Sequence, residues 1–376
     1  MTWALSKLLH RELKMPLSKI VANSITDNTI TTDQIADTSV HGRRNVLING
    51  NYDIWQRATS FTDIAGIWNY GFADRWNAHN DGTNAGTFSQ STTVPNSGSR
   101  YSLLLTGASS VTNSNLSQRI ESANLGGIRD ANSLTLSGYV RSATAGKSIQ
   151  FYGLAPNATD DFSSYTLLTN LFSTTTMSGN GSGGTIAIGL TDADTWYYFT
   201  ATATNVNAQT NFDKGLALYI SALSQTSSSH QVYFSQLQME AGNKASPFEH
   251  RGVGEELFLC QRYYETSFVG GVSTTNTSNA GLAAADGKAG DTTTSFSGHT
   301  PVSYRVSKRS VPTVTFYDLA SPRNTGKCHR LQLGAQAHDN SAVTIADSGL
   351  TGFNAYSGNG GACSGIAFHY EANAEL

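Results

Sequence analysis

With 376 residues the chain is long enough for two or three domains and a sizeable core. Hydrophobic residues make up 39% and charged residues only 14%, against about 25% charge in an ordinary globular chain, which argues against charge-driven disorder. Lys plus Arg number 24 and Asp plus Glu 27, a net charge of −3, so neither nucleic acid nor a strongly basic partner is indicated.

Leu5, Leu8, Leu9 and Leu13 fall on one face of a short amphipathic helix over residues 1–16, which Pro16 ends. Such a helix is marginal alone, so its apolar face calls for a partner. Met15-Pro16 also reads as an alternative start of the chain. In residues 17–44, Ile20, Ile25, Ile30, Ile35 and Val40 recur every five positions among Asn, Ser, Thr and Asp. A continuous strand with this odd spacing would throw successive Ile to opposite faces, so each unit needs a turn or bulge. One Ile per five residues cannot build a core in one chain, but three chains around an axis could stack Ile layers. The segment resembles the "NSIT…QIAD" necks of bacteriophage tail-fibre proteins.

The composition of the whole chain is that of an all-β protein, 36 Gly and 10% aromatics, and from residue 45 small polar residues punctuate aromatic and β-branched runs. Predicted strands are Ser102–Thr106, Leu116–Glu121, Ser133–Arg141, Ser148–Gly153, Thr185–Leu190, Trp196–Ala201, Leu216–Ala222 and Gln231–Glu240. Several alternate, as with Leu134 and Leu136 against Thr135 and Ser137, and fit a two-sheet jelly roll with one wet face per sheet. Trp55 and Trp76 suit its core; Arg57 and Arg75 suit pairing with Asp74, Asp53 or carbonyls. Trp68 and Tyr70, in a polar stretch, are the candidate sugar-contacting aromatics.

Asn45 through Arg57, followed by Ala73-Asp74-Arg75-Trp76, is similar to the "NLLINGNFDIWQRGTSFT…YTADRW" opening of a family of phage tail-fibre and appendage proteins. Ala58 stands where that family has Gly, and Gly71-Phe72 where it has Thr; the Trp and Arg positions match. Phe234 through Arg251 resembles the family's "QLQLEEGSVATPFEHR", and Gly254 through Tyr264 its "GEELALCQRYY". Val311 through Tyr317 and Tyr370 through Leu376 resemble "APTVTFYS" and "YTADAEL".

Helical spacing predicts a short joint over Glu256–Gln261, with Leu257, Leu259, Cys260 and Tyr264 inward. Beyond it, Tyr304–Val306, Val311–Tyr317, Val343–Ile345 and Ile366–Tyr370 read as strands, and Gly270–Gly298 as a long loop.

Catalytic chemistry finds little foothold. Asp160-Asp161 and Asp192 with Asp194 are the carboxylate pairs a glycosidase would need, but both sit in turn-like contexts. No nucleophile elbow, metalloprotease or phosphate-loop motif occurs. Cys260, Cys328 and Cys363 lack metal-ligand spacing and read as reduced thiols. No apolar run approaches the roughly 20 residues of a membrane span, and no secretion signal is evident.

The expectation is therefore a mostly β chain with neither catalytic residues nor cofactor nor metal. It has an attachment helix (1–16), a trimeric β neck (17–44), a jelly-roll carbohydrate-binding-like module (45–250) and a β-rich tip domain (251–376). The resemblance implies a homotrimeric tail fibre exposed on the virion, held to other virion proteins by the N-terminus and adhering to host glycan. A capsid-attached head fibre, or a polysaccharide depolymerase, is the alternative.

Overall fold

A computed structural model describes residues 43–63, 67–168, 174–175, 186–268, 278–286, 299–320, 322–331, 338–357 and 365–376. The expected attachment helix with Leu5, Leu8, Leu9 and Leu13 lies outside the described residues, as do neck positions Ile20, Ile25, Ile30, Ile35 and Val40.

The first strands are Ser60–Thr62 (β1), Asn77–Gly82 (β2), Thr87–Ser91 (β3), Ser102–Thr106 (β4), Val111–Glu121 (β5), Ser133–Ser142 (β6) and Lys147–Ala158 (β7). They continue with Asp161–Leu168 (β8), Thr174–Thr175 (β9), Ile186–Leu190 (β10), Trp196–Thr204 (β11), Gly215–Leu223 (β12) and Gln231–Ala241 (β13). Among the described residues these form one sheet in the order β1-β3-β4-β13-β6-β11-β9 and a second in the order β10-β7-β12-β5-β2, with β8 also on β7. The chain alternates between the sheets from β5 to β7 and again from β11 to β13, which is the jelly-roll way of closing a sandwich.

Period-two alternation explains the packing. Leu134, Leu136 and Val140 of β6, Phe199 and Ala201 of β11, Phe151 of β7 and Leu216, Leu218 and Ile220 of β12 all fill the space between the sheets. Phe151 and Phe199 stack across it, with ring centres 4.8 Å apart. In β13 the inward parity changes: Val232 and Phe234 point into the core, and so do Leu237 and Met239. A bulge between Ser235 and Gln238 inserts the extra residue, with Gln236 at φ 53°.

Each of the eight strands expected before residue 251 is present, most of them longer than read. The strands β1, β2, β3, β8 and β9 add to them.

After the sandwich, Val253–Gln261 forms helix α1. Cys260 is inward as expected, but Leu257 and Leu259 are only half-buried, and Glu256 and Gln261 are buried instead. Glu256 accepts the Asn49 N–H and Gln261 reaches the Gln56 side chain, so the helix docks by its polar face.

The remaining strands are Tyr264–Thr266 (β14), Ala283–Asp286 (β15), Thr300–Ser303 (β16), Thr313–Tyr317 (β17), Lys327–Leu331 (β18), His338–Ala342 (β19), Thr344–Ser348 (β20), Gly352–Tyr356 (β21) and Gly365–Asn373 (β22). Strand β22 is the hub: β15 and β18 pair with its first half, β14 and β17 with its second. A separate sheet runs β16-β21-β20. Phe316, Phe353, Phe368 and Tyr370 form this region's own core. The expected strand Tyr304–Val306 is not one; its backbone bends at Arg305 and Val306, where Glu265 accepts the Arg305 N–H at 3.0 Å.

Candidate functional site

The densest sequence motifs converge on a buried joint between the sandwich and the tip. Asn49, at φ 58°, uses its side chain to bond the Ile54 N–H and the carbonyls of Ile54 and Asp74, while its own carbonyl accepts the Trp76 indole N–H at 3.0 Å. Arg57 pairs with Asp74 at 3.1 Å and Glu375 at 3.2 Å, and its guanidinium lies 3.6 Å from the Tyr264 ring centre. Arg75 pairs with Glu375 and covers the Tyr263 ring at 3.4 Å. Burial raises the Asp74 carboxyl to about 6, against the pull of Arg57 and the Gln56 N–H. These groups are spent largely on one another, so the motif positions tie the sandwich to the strands that follow α1 rather than face a ligand.

Trp68 and Tyr70 lie on a short segment that pairs with β2 through Asn69 and Ala78. Tyr70 is half-buried, and its hydroxyl donates to the Leu376 carbonyl at 3.2 Å, which places it at the joint. Trp68 instead leans over the outer face of the β10-β7-β12-β5-β2 sheet. Its ring meets Tyr219 of β12 edge-on at 5.0 Å and His79 of β2 at 5.3 Å. Tyr219 in turn stacks on Tyr152 of β7 at 4.2 Å, the two being cross-strand partners. Burial pushes the Tyr152 hydroxyl up to about 12 and the Tyr219 hydroxyl up further still, with Tyr152 adding to the latter. Tyr165 on β8, in register with Pro156 of β7, is 56% exposed.

Polar groups border these rings. Asp81 accepts from Asn113 at 3.0 Å and sits 2.9 Å from His79 Nε2, which fixes its carboxylate at the end of the aromatic row. Beneath lie Asn77, His79 and Asn115, with Asn77 beside Ser117 and His79 beside Asn115 in the register. Both amide atoms of Asn77, Nδ1 of His79 and Nδ2 of Asn115 are buried without a hydrogen-bond partner. Each such atom costs about 1–3 kcal/mol when left unpaired. Asn77, His79 and Asn115 gather on one face of the sheet, with His79 against the Trp68 ring.

Of the residues on this face, sequence reasoning found Trp68 and missed His79, Asp81, Asn113, Tyr152 and Tyr219. A signal was present at Tyr219: it occupies the outward position between Leu218 and Ile220, where a polar residue is the usual choice.

The carboxylates considered for catalysis are engaged locally. Asp160 accepts from the Ser122 N–H at 2.6 Å, Asp161 from the Ser163 N–H at 3.0 Å, Asp192 from the Tyr197 hydroxyl at 2.6 Å, and Asp194 pairs with Arg141. Cys260 and Cys328 are buried, and burial pushes the Cys260 thiol well up. Among the described residues no cluster of three or more His, Cys, Asp or Glu side chains is arranged to hold a metal ion. No helix among them is long and apolar enough to cross a membrane.

No protein-family model matches the chain, and no curated protein matches it. Among solved structures, it is similar to a proposed sugar-binding protein from Bacteroides thetaiotaomicron VPI-5482, at 14% identity and a TM-score of 0.36, over 53% of this chain and 100% of that one. It is similar to the enzymatically active domain of tailspike protein 4 of bacteriophage CBA120, at 12% identity and a TM-score of 0.32, over 53% of this chain but only 21% of that one. It is also similar to TmCBM61 in complex with β-1,4-galactotriose, at 11% identity and a TM-score of 0.30, over 53% of this chain and 99% of that one. At such scores the likeness assigns no ligand and no activity to this chain.

Proposed function

We propose that the chain is a structural fibre subunit of a bacteriophage particle, homotrimeric through its isoleucine neck, that adheres non-covalently to glycan on the host surface. The observation that carries the glycan reading is the outer face around Trp68. Its Tyr152–Tyr219 stack supplies flat ring surface, and Asp81, Asn113 and His79 supply oriented polar groups at its edge. A few placed polar groups among aromatic rings suit a sugar, which has an apolar C–H face and a rim of hydroxyls. On the same face, amide atoms of Asn77 and Asn115 are buried without hydrogen-bond partners. The fibre and virion reading is supported by the neck repeat and by the motif resemblance. The N-terminus would then hold the subunit to other virion proteins.

Retardation of the purified chain in gels containing bacterial lipopolysaccharide or capsular polysaccharide tests the site. Tyr219→Ala should weaken retardation at least about tenfold, the loss of one stacking partner and its neighbour's support. Unchanged retardation would remove this face from the function. Release of oligosaccharide during the assay would move the reading to a depolymerase.

A further inference from the structure

The tip carries an open cleft of about 330 Å³ that neither the joint nor the face around Trp68 uses. Ala283 and Ala284 of β15 line one part of it, and Pro301 and Val302 of β16 another. Among the described residues each of these strands pairs on one side only, β15 with β22 and β16 with β21. Each therefore keeps a main-chain edge without a ladder partner. Pro301 stands on the β16 edge, the usual device against pairing with a further strand, so an extended peptide is a poor occupant.

Glu265 and Arg305 bring charge to the cleft. Glu265 is fully buried and already spent. It accepts the Lys308 ammonium at 2.8 Å, the Tyr370 hydroxyl at 2.9 Å and the Arg305 N–H at 3.0 Å. The Arg305 side chain is exposed and has no carboxylate of its own. Its one hydrogen bond among the described residues runs from Nη1 to the Thr266 carbonyl at 3.2 Å, which orients the guanidinium and leaves Nε and Nη2 without partners. Thr300 also lines the cleft; it is 2% exposed, and its hydroxyl is buried without a hydrogen-bond partner.

These features select among occupants. Two cations, Lys308 and Arg305, stand against the one carboxylate of Glu265, so the cleft favours an anion. The surplus is a single charge on a planar fork, which matches a carboxylate better than a doubly charged phosphate. Ligand pockets run from about 300 to 1,000 Å³, and a cleft at the small end takes one ring rather than a chain. The unpaired edges of β15 and β16 offer N–H and C=O groups, and Ser303 an exposed hydroxyl, so the ring must itself carry hydroxyls.

We propose that this cleft binds a sugar acid unit, with Arg305 holding its carboxylate and the edges of β15 and β16 bonding its ring hydroxyls. The site stands on its own residues and does not require the face around Trp68.

The test is a ligand-observed NMR titration of the purified chain at low salt with glucuronate, galacturonate, glucose and acetate, with thermal melting as the control for folding. At least one uronate should bind about tenfold or more tightly than glucose, which lacks the carboxylate, and than acetate, which lacks the ring. Arg305→Gln should lose at least about tenfold of that affinity. If Arg305→Gln melts early, Ala284→Tyr leaves Arg305 in place, fills the cleft from an exposed position and should still block the uronate. Tyr219→Ala should bind the uronate as the natural chain does, so the two sites fail separately. Binding lost in Tyr219→Ala but kept in Arg305→Gln overturns the cleft and gives the sugar acid to the face around Trp68. Glucose binding as tight as that of both uronates, or no binding of either uronate, overturns the proposal. Once a uronate binds, retardation in gels containing a polysaccharide with terminal uronate, lost in Arg305→Gln, assigns the unit to a glycan. Binding without such retardation assigns it to a free sugar acid, and the proposal stands in either case.

Discussion

Trp55 packs against Phe72 with ring centres 6.3 Å apart, and its indole N–H donates to the Tyr52 carbonyl. Trp55→Ala should therefore cost about 3–5 kcal/mol, the usual range for truncating a core aromatic. Urea unfolding measures it; a variant as stable as the natural chain but unable to bind glycan would move Trp55 from core to site. Glu375 has a different role, since two buried guanidinium groups, Arg57 and Arg75, share it. Glu375→Ala leaves one carboxylate, Asp74, beside two cations and should cost about 3–5 kcal/mol, as when one partner of a buried ion pair is removed. The same unfolding curves check this, and a loss below about 1 kcal/mol would mean that water already reaches the joint. His369 makes stability depend on pH. Burial lowers its pKa to about 4, helped by Arg323 nearby, while an unfolded His titrates near 6.5. The unfolded chain therefore binds the proton first as pH falls. His369 supports folding fully above about 6.5, and that support is lost progressively as pH falls to about 4. His369→Phe, which keeps the stack on Phe268, should flatten the melting temperature between pH 6.5 and 4.

Strand β13 shows why elements were readable where faces were not. Its alternating residues mark a strand, but the bulge at Gln236 moves the inward set from Val232 and Phe234 to Leu237 and Met239, a switch set by Gly50 and Asn45, far away in sequence. The Gly50 carbonyl accepts the Leu237 N–H, and a side chain at Gly50 would meet the Leu237 carbonyl at 2.1 Å. Deleting Gln236 removes the extra residue and leaves Val232, Phe234, Leu237 and Met239 in one regular inward alternation, so the sandwich should keep its cooperative melt, which calorimetry would show. Loss of the melt would mean that the bulge itself, held by Asn45 and Gly50, is needed to close the sandwich. Strand β2 escaped notice because Asn-Ala-His-Asn-Asp-Gly has the composition of a turn. It is a strand because β5 pairs with it along its length and because Asp63 accepts the Asn80 N–H at 2.8 Å. The site around Trp68 was hidden for the same kind of reason. His79, Tyr152 and Tyr219 are far apart in sequence, and only non-local register makes them neighbours.

At the scale of the whole molecule, residues 43–376 form one compact unit in which the chain's last residues return to the sandwich. Tyr70 and Arg119 both donate to the Leu376 carbonyl, so the tip is anchored at its end as well as through α1. The proposed trimer depends on residues 17–44, where Ile25, Ile30 and Ile35 would each meet two copies of themselves. Burying an Ile is worth roughly 1.5–3 kcal/mol, so nine such side chains per trimer supply on the order of 10–25 kcal/mol. Two association steps cost about 4–15 kcal/mol each, so these side chains offset a cost of the same order. Light scattering should accordingly give a mass of three chains that does not change on dilution. The combined Ile25→Ser, Ile30→Ser and Ile35→Ser variant should fall to one chain, with the melting of residues 43–376 unaltered. A natural chain of single mass would remove the trimer and leave a glycan-binding module acting one copy at a time. A trimer that survives the three substitutions would place its interface within residues 43–376, where Phe258 on α1, 58% exposed, is the first side chain to replace.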